Sequence, residues 1–232
     1  MMTPRIAVYS LTRDRLDYTR QCFASLRQNA GLPFDHYVLD NGSIDDTRGW
    51  LNLHADAGWF RWYSLQPENL GISVASNILL RRILQEDYDV ILKVDNDCYV
   101  RTPNILRHIA DVVSAAGDNW IFSPRVEGIN KQPKRARNVE IAGHPIGVVG
   151  IVGGLFHVVP AKVYRAYMDA GGYPEDLPKA KGQDDHFCDW WKRRRGNIGY
   201  IEDIVVEHFE STDGQAQRYK EYFERKWEEE KQ

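Results

Sequence analysis

Cysteine is scarce in this 232-residue chain, and the three that it contains, Cys22, Cys98 and Cys188, lie far apart. No two of them form a Cys-x-x-Cys pair, and an odd number cannot be fully paired within one chain. A disulfide framework or a cysteine-ligated zinc site needs even-numbered or closely spaced cysteines, so the sequence argues against both. A reducing compartment is the simpler expectation.

The sequence also lacks a long apolar run. The longest candidate, residues 146–160, is interrupted by glycines, and a membrane-spanning helix needs roughly 20 apolar residues. No basic segment followed by an apolar stretch opens the chain, so no signal peptide is predicted. The formal net charge is only -3, which does not select a nucleic-acid partner. We therefore expect a soluble, cytoplasmic protein without a membrane span.

What remains is the composition of a globular protein, 43% hydrophobic and 27% charged. Its first half alternates short apolar runs with longer amphipathic ones. Strands are predicted at residues 5–10, 36–39, 60–65 and 90–94, and helices at 14–30, 46–57 and 71–85. This alternation predicts an α/β fold with one mostly parallel sheet flanked by helices. Ligands of such sheets bind beyond the carboxyl ends of the strands, where polar residues are concentrated.

The second half is less regular. Helices are predicted at residues 103–116, 161–170, 184–195 and 215–231, and strands at 120–124 and, in one or two pieces, 198–209. Residues 125–144 are polar and basic and indicate a long loop. The glycine-rich residues 146–160 indicate bent strands or a hairpin, and hence a smaller second sheet.

Asp95-Asn96-Asp97 is the sharpest chemical signal. Two carboxylates two residues apart, just after a buried strand, repel one another unless a cation lies between them. A hard divalent ion such as Mg²⁺ or Mn²⁺ takes oxygen ligands and keeps substrate phosphate oxygens in its shell. The alternative is a turn in which Asp and Asn side chains bond to the backbone.

Two further signals lie in the second half. Asp184 and Asp185 follow Gly182 at the start of a predicted helix, where one Asp suffices as a cap and the second needs another reason. A carboxylate there can accept a proton from an attacking hydroxyl. His208 follows an apolar strand, and its imidazole is either structural or a metal ligand.

Taken in chain order, several short motifs of this sequence resemble those of the family-2 glycosyltransferases with the GT-A fold. The resemblance covers about residues 6–209, and it is the shared order of several weak motifs that makes it specific. They are Ser10 and Thr12 after the first strand, Asp40-Asn41-Gly42-Ser43, Asn69-Leu70-Gly71 with Ser73 to Asn77, Asp95-Asn96-Asp97, Gly153-Gly154-Leu155-Phe156, Gly171 to Glu175, and Gly182 to Asp185.

The resemblance implies a role for each motif. Contacts to the donor are implied for Ser10, Thr12, Asp40, Asn41, Ser43, Asn69, Gly71, Asn77, Asp95 and Asn96. Metal ligands are implied for Asp97, His208 and Asp95. The base is Asp184 in one register of the motif and Asp185 in the other. On the acceptor side lie Gly153 and Gly154, with Trp190 and Trp191 as aromatic candidates.

The implied reaction transfers a hexose from a nucleoside diphosphate sugar, UDP-sugar by default, to an acceptor hydroxyl with inversion. Mn²⁺ or Mg²⁺ is the implied cofactor. Residues 1–100 form the nucleotide-sugar half of the domain, residues 101–212 the acceptor half, and residues 213–232 a C-terminal helix. Two positions depart from the family: Ser76 stands where an arginine often contacts the donor phosphates, and Gln183 replaces the Glu of a Gly-Glu-Asp motif.

The acceptor stays open between a glycan, a lipid-linked sugar and a hydroxymethylated pyrimidine in DNA. Basic residues cluster at 131–137 and 192–195. They are read either as a solvated loop and a favourably charged helix end, or as a phosphate-binding surface. Some small family-2-like phage enzymes glycosylate such pyrimidines in DNA, and a compact chain is compatible with them. A duplex base would have to be flipped out to reach Asp184.

Two rival functions belong to other classes. A sugar-1-phosphate nucleotidyltransferase also sets Asp residues beside a similar sheet, but it usually carries a glycine-rich loop after the first strand. Here that loop, residues 11–15, contains no glycine. A non-catalytic sugar or nucleic-acid binding module is the other rival, although paired carboxylates without a function would only cost stability.

Overall fold

The computed structural model describes residues 3–129, 133–179, 182–210 and 212–229. Within these residues the strands are β1 (Ile6–Thr12), β2 (Asp35–Asp40), β3 (Trp62–Leu65), β4 (Val90–Val94), β5 (Cys98–Val100), β6 (Trp120–Glu127), β7 (Arg137–Ile141), β8 (His144–Val148), β9 (Phe156–Pro160) and β10 (Asn197–His208). The helices are α1 (Leu16–Asn29), α2 (Thr47–Asp56), α3 (Ile72–Ile83), α4 (Ile105–Ala116), α5 (Ala161–Asp169), α6 (Gln183–Arg193), α7 (Thr212–Arg218) and α8 (Lys220–Glu229), with a short 3₁₀ turn at Gly117–Asn119.

The first half forms the parallel part of the sheet that its β-α alternation predicts. Its strands lie in the order β3-β2-β1-β4, and each neighbouring pair is parallel. Strand β4 is buried along its whole length, as expected for a strand covered on both faces. Thr12 is paired with Asp40, so the ends of β1 and β2 meet at one edge of the sheet. The predicted α/β fold, with helices flanking a central sheet, is confirmed.

The strands of the second half continue the same sheet. Strand β9 is antiparallel to both β4 and β6, and β10 is parallel to β6. The smaller sheet expected here is an antiparallel extension, β10-β8-β7, of the main one. The end of β10 also pairs with β5, where His208 is opposite Cys98. This pairing carries His208 to the turn that follows β4.

The prediction of a long loop at residues 125–144 is wrong. Strand β6 continues to Glu127, and β7 and β8 form a hairpin whose turn has positive φ at Ala142 and Gly143. The hairpin was missed because β7 is an edge strand, in which exposed polar residues alternate with only two half-buried apolar ones, Val139 and Ile141. Residues 130–132 lie outside the described residues.

The single C-terminal helix predicted at residues 215–231 is also corrected. It consists of two helices, α7 and α8, which contact each other. Glu230 and Lys231, the end of the predicted helix, lie outside the described residues. No helix in the described part of the chain is long and apolar enough to cross a bilayer.

Candidate functional site

A cleft of about 270 Å³ opens at the carboxyl ends of β1, β2 and β4, where the fold predicts a ligand. Helices α7 and α8 cover it. Among the predicted site residues, those that line the cleft are Thr12, Asn41, Asn69, Asp95, Asn96, Asp97 and His208. Residues with charged or polar side chains that were not predicted also line it: Arg13, Arg15, Lys179, Gln215, Tyr222, Lys226 and Glu229.

Each carboxylate of the Asp95-Asn96-Asp97 turn has a cation of its own. Asp95 Oδ1 lies 2.7 Å from Lys93 Nζ, and Asp97 Oδ2 lies 3.0 Å from Arg15 Nη1. Burial alone would raise the pKa of Asp97, but Arg15 and His208 outweigh it and lower that pKa. Two side chains, Lys93 and Arg15, therefore supply positive charge to the paired carboxylates.

His208 reaches the same turn from the end of β10. Its Nε2 is 3.7 Å from Asp97 Oδ2, and its Nδ1 lies 2.8 Å from the carbonyl oxygen of Glu210. Since a carbonyl only accepts, Nδ1 carries a proton, and Nε2 is the ring nitrogen that faces Asp97.

An imidazole nitrogen beside a carboxylate oxygen suits Mn²⁺ or Mg²⁺, which would take its other ligands from water and phosphate. No cluster of three or more His, Cys, Asp and Glu side chains suited to a metal occurs in the described ranges. Asp95, the third predicted ligand, contacts Lys93 instead. Of the three predicted ligands, the structure thus brings His208 next to Asp97, while Asp95 is paired with Lys93.

The turn after β2 is held by Asp40. Its Oδ1 accepts a hydrogen bond from Thr12 Oγ1 at 3.0 Å and one from Ser43 Oγ, and its Oδ2 accepts one from Ser43 N at 3.0 Å. Burial raises the pKa of Asp40, and the bonds from Ser43 and Thr12 oppose that rise. The carboxylate is fully buried and fixes the turn to β1, while the next residue, Asn41, faces the cleft.

Asn41 and Asn69 connect this turn to the loop before α3. Asn41 Nδ2 donates to Asn69 Oδ1 at 2.9 Å, and Asn41 Oδ1 accepts from the backbone N–H of Leu70 at 2.8 Å. Gly71 also donates to Asn69 Oδ1, at 3.0 Å, and its φ of 81° favours a residue without a side chain. Gly71 thus holds Asn69 in place.

Ser10 and Asn77, both predicted to contact the donor, are not brought to the cleft. Ser10 Oγ is buried against His36 Nε2 at 3.1 Å. Asn77 is fully buried, and its amide bonds both backbone groups of Tyr173, the N–H at 3.0 Å and the carbonyl at 2.8 Å. Asn77 therefore ties α3 to the Gly171-Gly172 turn, a structural use of the motif.

Asp184 lies in the first turn of α6 and faces Gly154. The Gly154 N–H donates to Asp184 Oδ2 at 2.6 Å, and the Gly154 carbonyl accepts from Lys93 Nζ at 2.6 Å. The same ammonium contacts Asp95 at 2.7 Å. Asp185, the other candidate base, is exposed. The structure therefore brings Asp184, and not Asp185, next to the turn that carries Asp95.

The sequence model of the family described as Glycosyl transferase family 2 matches residues 8–160, well over half of the chain. This chain belongs to glycosyl transferase family 2. No curated protein matches its sequence.

The family-2 chain is also similar in fold to solved structures. Mannosyltransferase PcManGT from Pyrobaculum calidifontis, in complex with GDP-Man and Mn²⁺, has a TM-score of 0.66 at 14% identity, over 89% of this chain and 57% of that one. GalNAc-T7 with UDP, GalNAc and Mn²⁺ has a TM-score of 0.72 at 11% identity, over 89% and 44%. S. aureus TarS 1-349 in complex with UDP-GlcNAc has a TM-score of 0.65 at 17% identity, over 90% and 58%. The chain thus spans about half the length of these proteins, and at such identities the likeness shows the fold.

In this family-2 protein, α8 contributes directly to the cleft. Glu229 forms a two-pronged ion pair with Arg13, at 2.6 and 2.8 Å, and accepts from Asn69 Nδ2 at 2.6 Å. The Arg15 guanidinium lies 4.6 Å from the ring centre of Tyr222. No local sequence signal predicts these contacts, because the hydrogen-bonded partners of Glu229 lie 160 and 216 residues away along the chain.

The predicted aromatic residues on the acceptor side are mainly packing residues. Trp191 is buried, and its Nε1 donates to the Asn197 carbonyl at 3.0 Å. Trp190 is half-buried among Tyr167 and Phe187. Neither is oriented as a free stacking surface, which removes the aromatic support for a flipped base at this position.

Proposed function

We propose that this protein transfers a sugar from a nucleoside diphosphate sugar to an acceptor hydroxyl, with inversion at the anomeric carbon. The observation that carries the proposal is the convergence of two features on one turn. Asp97 and His208 line the cleft beside Asp95, and Asp184 is connected to Asp95 through Gly154 and Lys93. A leaving-group site and a base are thus adjacent.

The cleft suits the diphosphate of such a donor. Four cationic side chains line it: Arg13, Arg15, Lys179 and Lys226. As the bond to the sugar breaks, negative charge grows on the diphosphate, and cations already oriented towards it stabilise that charge. Arg13 and Arg15 offer planar donors that match phosphate oxygens, and they can take the role of the family arginine that Ser76 replaces.

A divalent ion held by Asp97 and His208 would supply further charge stabilisation to the leaving diphosphate. Asn41 and Asn69 line the same cleft and offer amide groups to the nucleoside. UDP is the default nucleotide.

Asp184 is the proposed base. One carboxylate oxygen of Asp184 is held by the Gly154 N–H. The other is left to accept the proton of the acceptor hydroxyl while the hydroxyl oxygen attacks the anomeric carbon. With Asp184 as the base for the acceptor hydroxyl, a single in-line displacement would proceed with inversion.

The test is a screen of nucleotide sugars with Mn²⁺, read first as thermal stabilisation and then as release of nucleoside diphosphate. A ligand that binds only the native state raises the free energy of unfolding by about 2.7 kcal/mol at 100 times its Kd, so the true donor stands out. Failure of UDP, GDP and other nucleotide donors with metal present refutes the proposal. Pyrophosphate release from a nucleoside triphosphate and a sugar phosphate would support a nucleotidyltransferase, and tight binding without turnover a binding module.

The acceptor is tested separately. Among the basic residues, Arg135 is paired with Glu202 at 2.6 Å, which reduces its availability to a phosphate, while Lys134 and Arg137 are exposed and Lys131 lies outside the described residues. A glycan or lipid-linked acceptor is therefore favoured over DNA. Binding of hydroxymethylated DNA is to be measured across salt for the wild type and for a variant with all four residues changed to Ala. Salt-dependent binding that is lost in the variant would restore the DNA acceptor.

A further inference from the structure

The Lys93 ammonium is an unusual group in the middle of this fold. It lies in β4, whose other residues are Val, Ile, Leu and Val, and it is only 5% exposed. A buried charge is costly unless it is paired and hydrogen-bonded. Lys93 has both kinds of partner: the Asp95 carboxylate at 2.7 Å and the carbonyl of Gly154 at 2.6 Å.

Gly154 joins this ammonium to Asp184. The Gly154 carbonyl is bound by Lys93, and the Gly154 N–H is bound by Asp184 at 2.6 Å. These two groups belong to the two peptide planes on either side of the Gly154 α-carbon. The position of that α-carbon, and with it the hydrogen bond to Asp184, is therefore fixed from β4. We call this arrangement the Gly154 bridge: Lys93, Gly154 and Asp184.

The bridge requires glycine at its centre. A methyl group at position 154 would lie 2.5 and 2.8 Å from the two Asp184 carboxylate oxygens and 2.6 Å from Lys93 Nζ. Both partners thus pack against the face of Gly154 that a side chain would occupy. Neighbouring Gly150 differs, because a methyl group there would meet nothing within 4 Å and its φ is not positive.

We propose that Lys93 and Gly154 are positioning residues, which hold the Asp184 carboxylate at the distance and orientation that attack by the acceptor hydroxyl requires. Asp95 lines the donor cleft and is paired with the Lys93 ammonium, which also belongs to the bridge. The Lys93 side chain thus aligns the donor side with the base. The inference rests on the proposed function, because it assigns a task to the same Asp184.

The first test is Gly154→Ala, with Gly150→Ala as the matched control. Displacing a reacting group by about 1 Å costs on the order of 100-fold in rate, so kcat is expected to fall about 100-fold. The KM for the donor and the affinity for UDP with Mn²⁺ are expected to change less than about threefold, because the added methyl does not reach the cleft residues. Gly150→Ala is expected to retain wild-type kcat.

A double-mutant cycle separates positioning from a general loss of structure. If Gly154 acts through Asp184, adding Asp184→Asn to Gly154→Ala lowers kcat little beyond Asp184→Asn alone. Lys93→Met, which keeps a long buried stem without the charge, is combined with Asp184→Asn in the same way and gives a second reading if Gly154→Ala does not fold. If the kcat losses of the two single variants multiply in the double variant of both cycles, the inference is overturned. Full kcat in Gly154→Ala overturns it as well.

The two levels of the argument fail differently. A wild type that binds nucleoside diphosphate but turns over no donor overturns the proposed function and the inference with it. A wild type with normal turnover, whose Gly154→Ala and Lys93→Met variants keep that turnover, overturns the inference alone.

Discussion

Replacing Asp184 with Asn isolates proton transfer from every other task of that side chain. Asn has the same shape, and its amide oxygen can still accept the Gly154 N–H that Asp184 Oδ2 accepts at 2.6 Å. The side chain therefore stays in position, but it can no longer take a proton from the acceptor. Because Asp184 is only half-buried, the loss of its charge beside Lys93 is expected to have a small effect on folding.

The size of the effect follows from the role. General base catalysis typically contributes about 10²–10⁴-fold, which corresponds to about 2.7–5.4 kcal/mol of transition-state stabilisation. We expect Asp184→Asn to lower kcat by a factor in this range while the Kd for UDP with Mn²⁺ stays within about threefold. Steady-state kinetics and calorimetry of nucleotide binding measure the two quantities.

Asp189→Asn is the control, since Asp189 lies on the same helix, is exposed and pairs with Lys192. Asp185→Asn decides the register of the motif. If Asp184→Asn retains full activity and Asp185→Asn does not, the assignment of the base is wrong and so is the reasoning from the Gly154 contact.

Three further predictions address the cleft and the fold. EDTA is expected to abolish activity and Mn²⁺ or Mg²⁺ to restore it, with Asp97→Ala resembling metal removal and His208→Ala less severe, because imidazole is a poorer Mg²⁺ ligand than a carboxylate; full activity in EDTA would reject the metal. Glu229→Gln is expected to tighten UDP binding several-fold in calorimetry, since the carboxylate occupies Arg13, a cation that the diphosphate needs; weaker binding would mean that Glu229 helps to form the cleft. Asn77→Ala is expected to lower the free energy of unfolding by about 2 kcal/mol in urea titrations, because it leaves the buried backbone of Tyr173 unpaired, with donor KM unchanged; a large rise in KM at normal stability would return Asn77 to the donor site.

Local patterns of apolar and polar residues predicted most of the fold. The β-α alternation of the first half is readable because burial imposes a period of about two or 3.6 residues on neighbouring side chains. The hairpin of β7 and β8 was not predicted, because its edge strand β7 buries few side chains and its apolar alternation is therefore weak. The break between α7 and α8 is not marked by a comparable change in the apolar pattern.

The sequence by itself also predicted at which edge of the sheet a cleft opens, since parallel strands bring their carboxyl ends to one edge, and Asp95, Asp97 and Asn41 line the cleft there. Only the tertiary structure decided which polar side chains face that cleft. The Arg13–Glu229 pair spans 216 residues and the Lys93–Gly154 bond 61, and such contacts depend on how whole elements pack. The same packing turned Asn77 and Trp191 inward, because a buried amide or indole N–H takes whichever backbone partner the neighbouring elements offer.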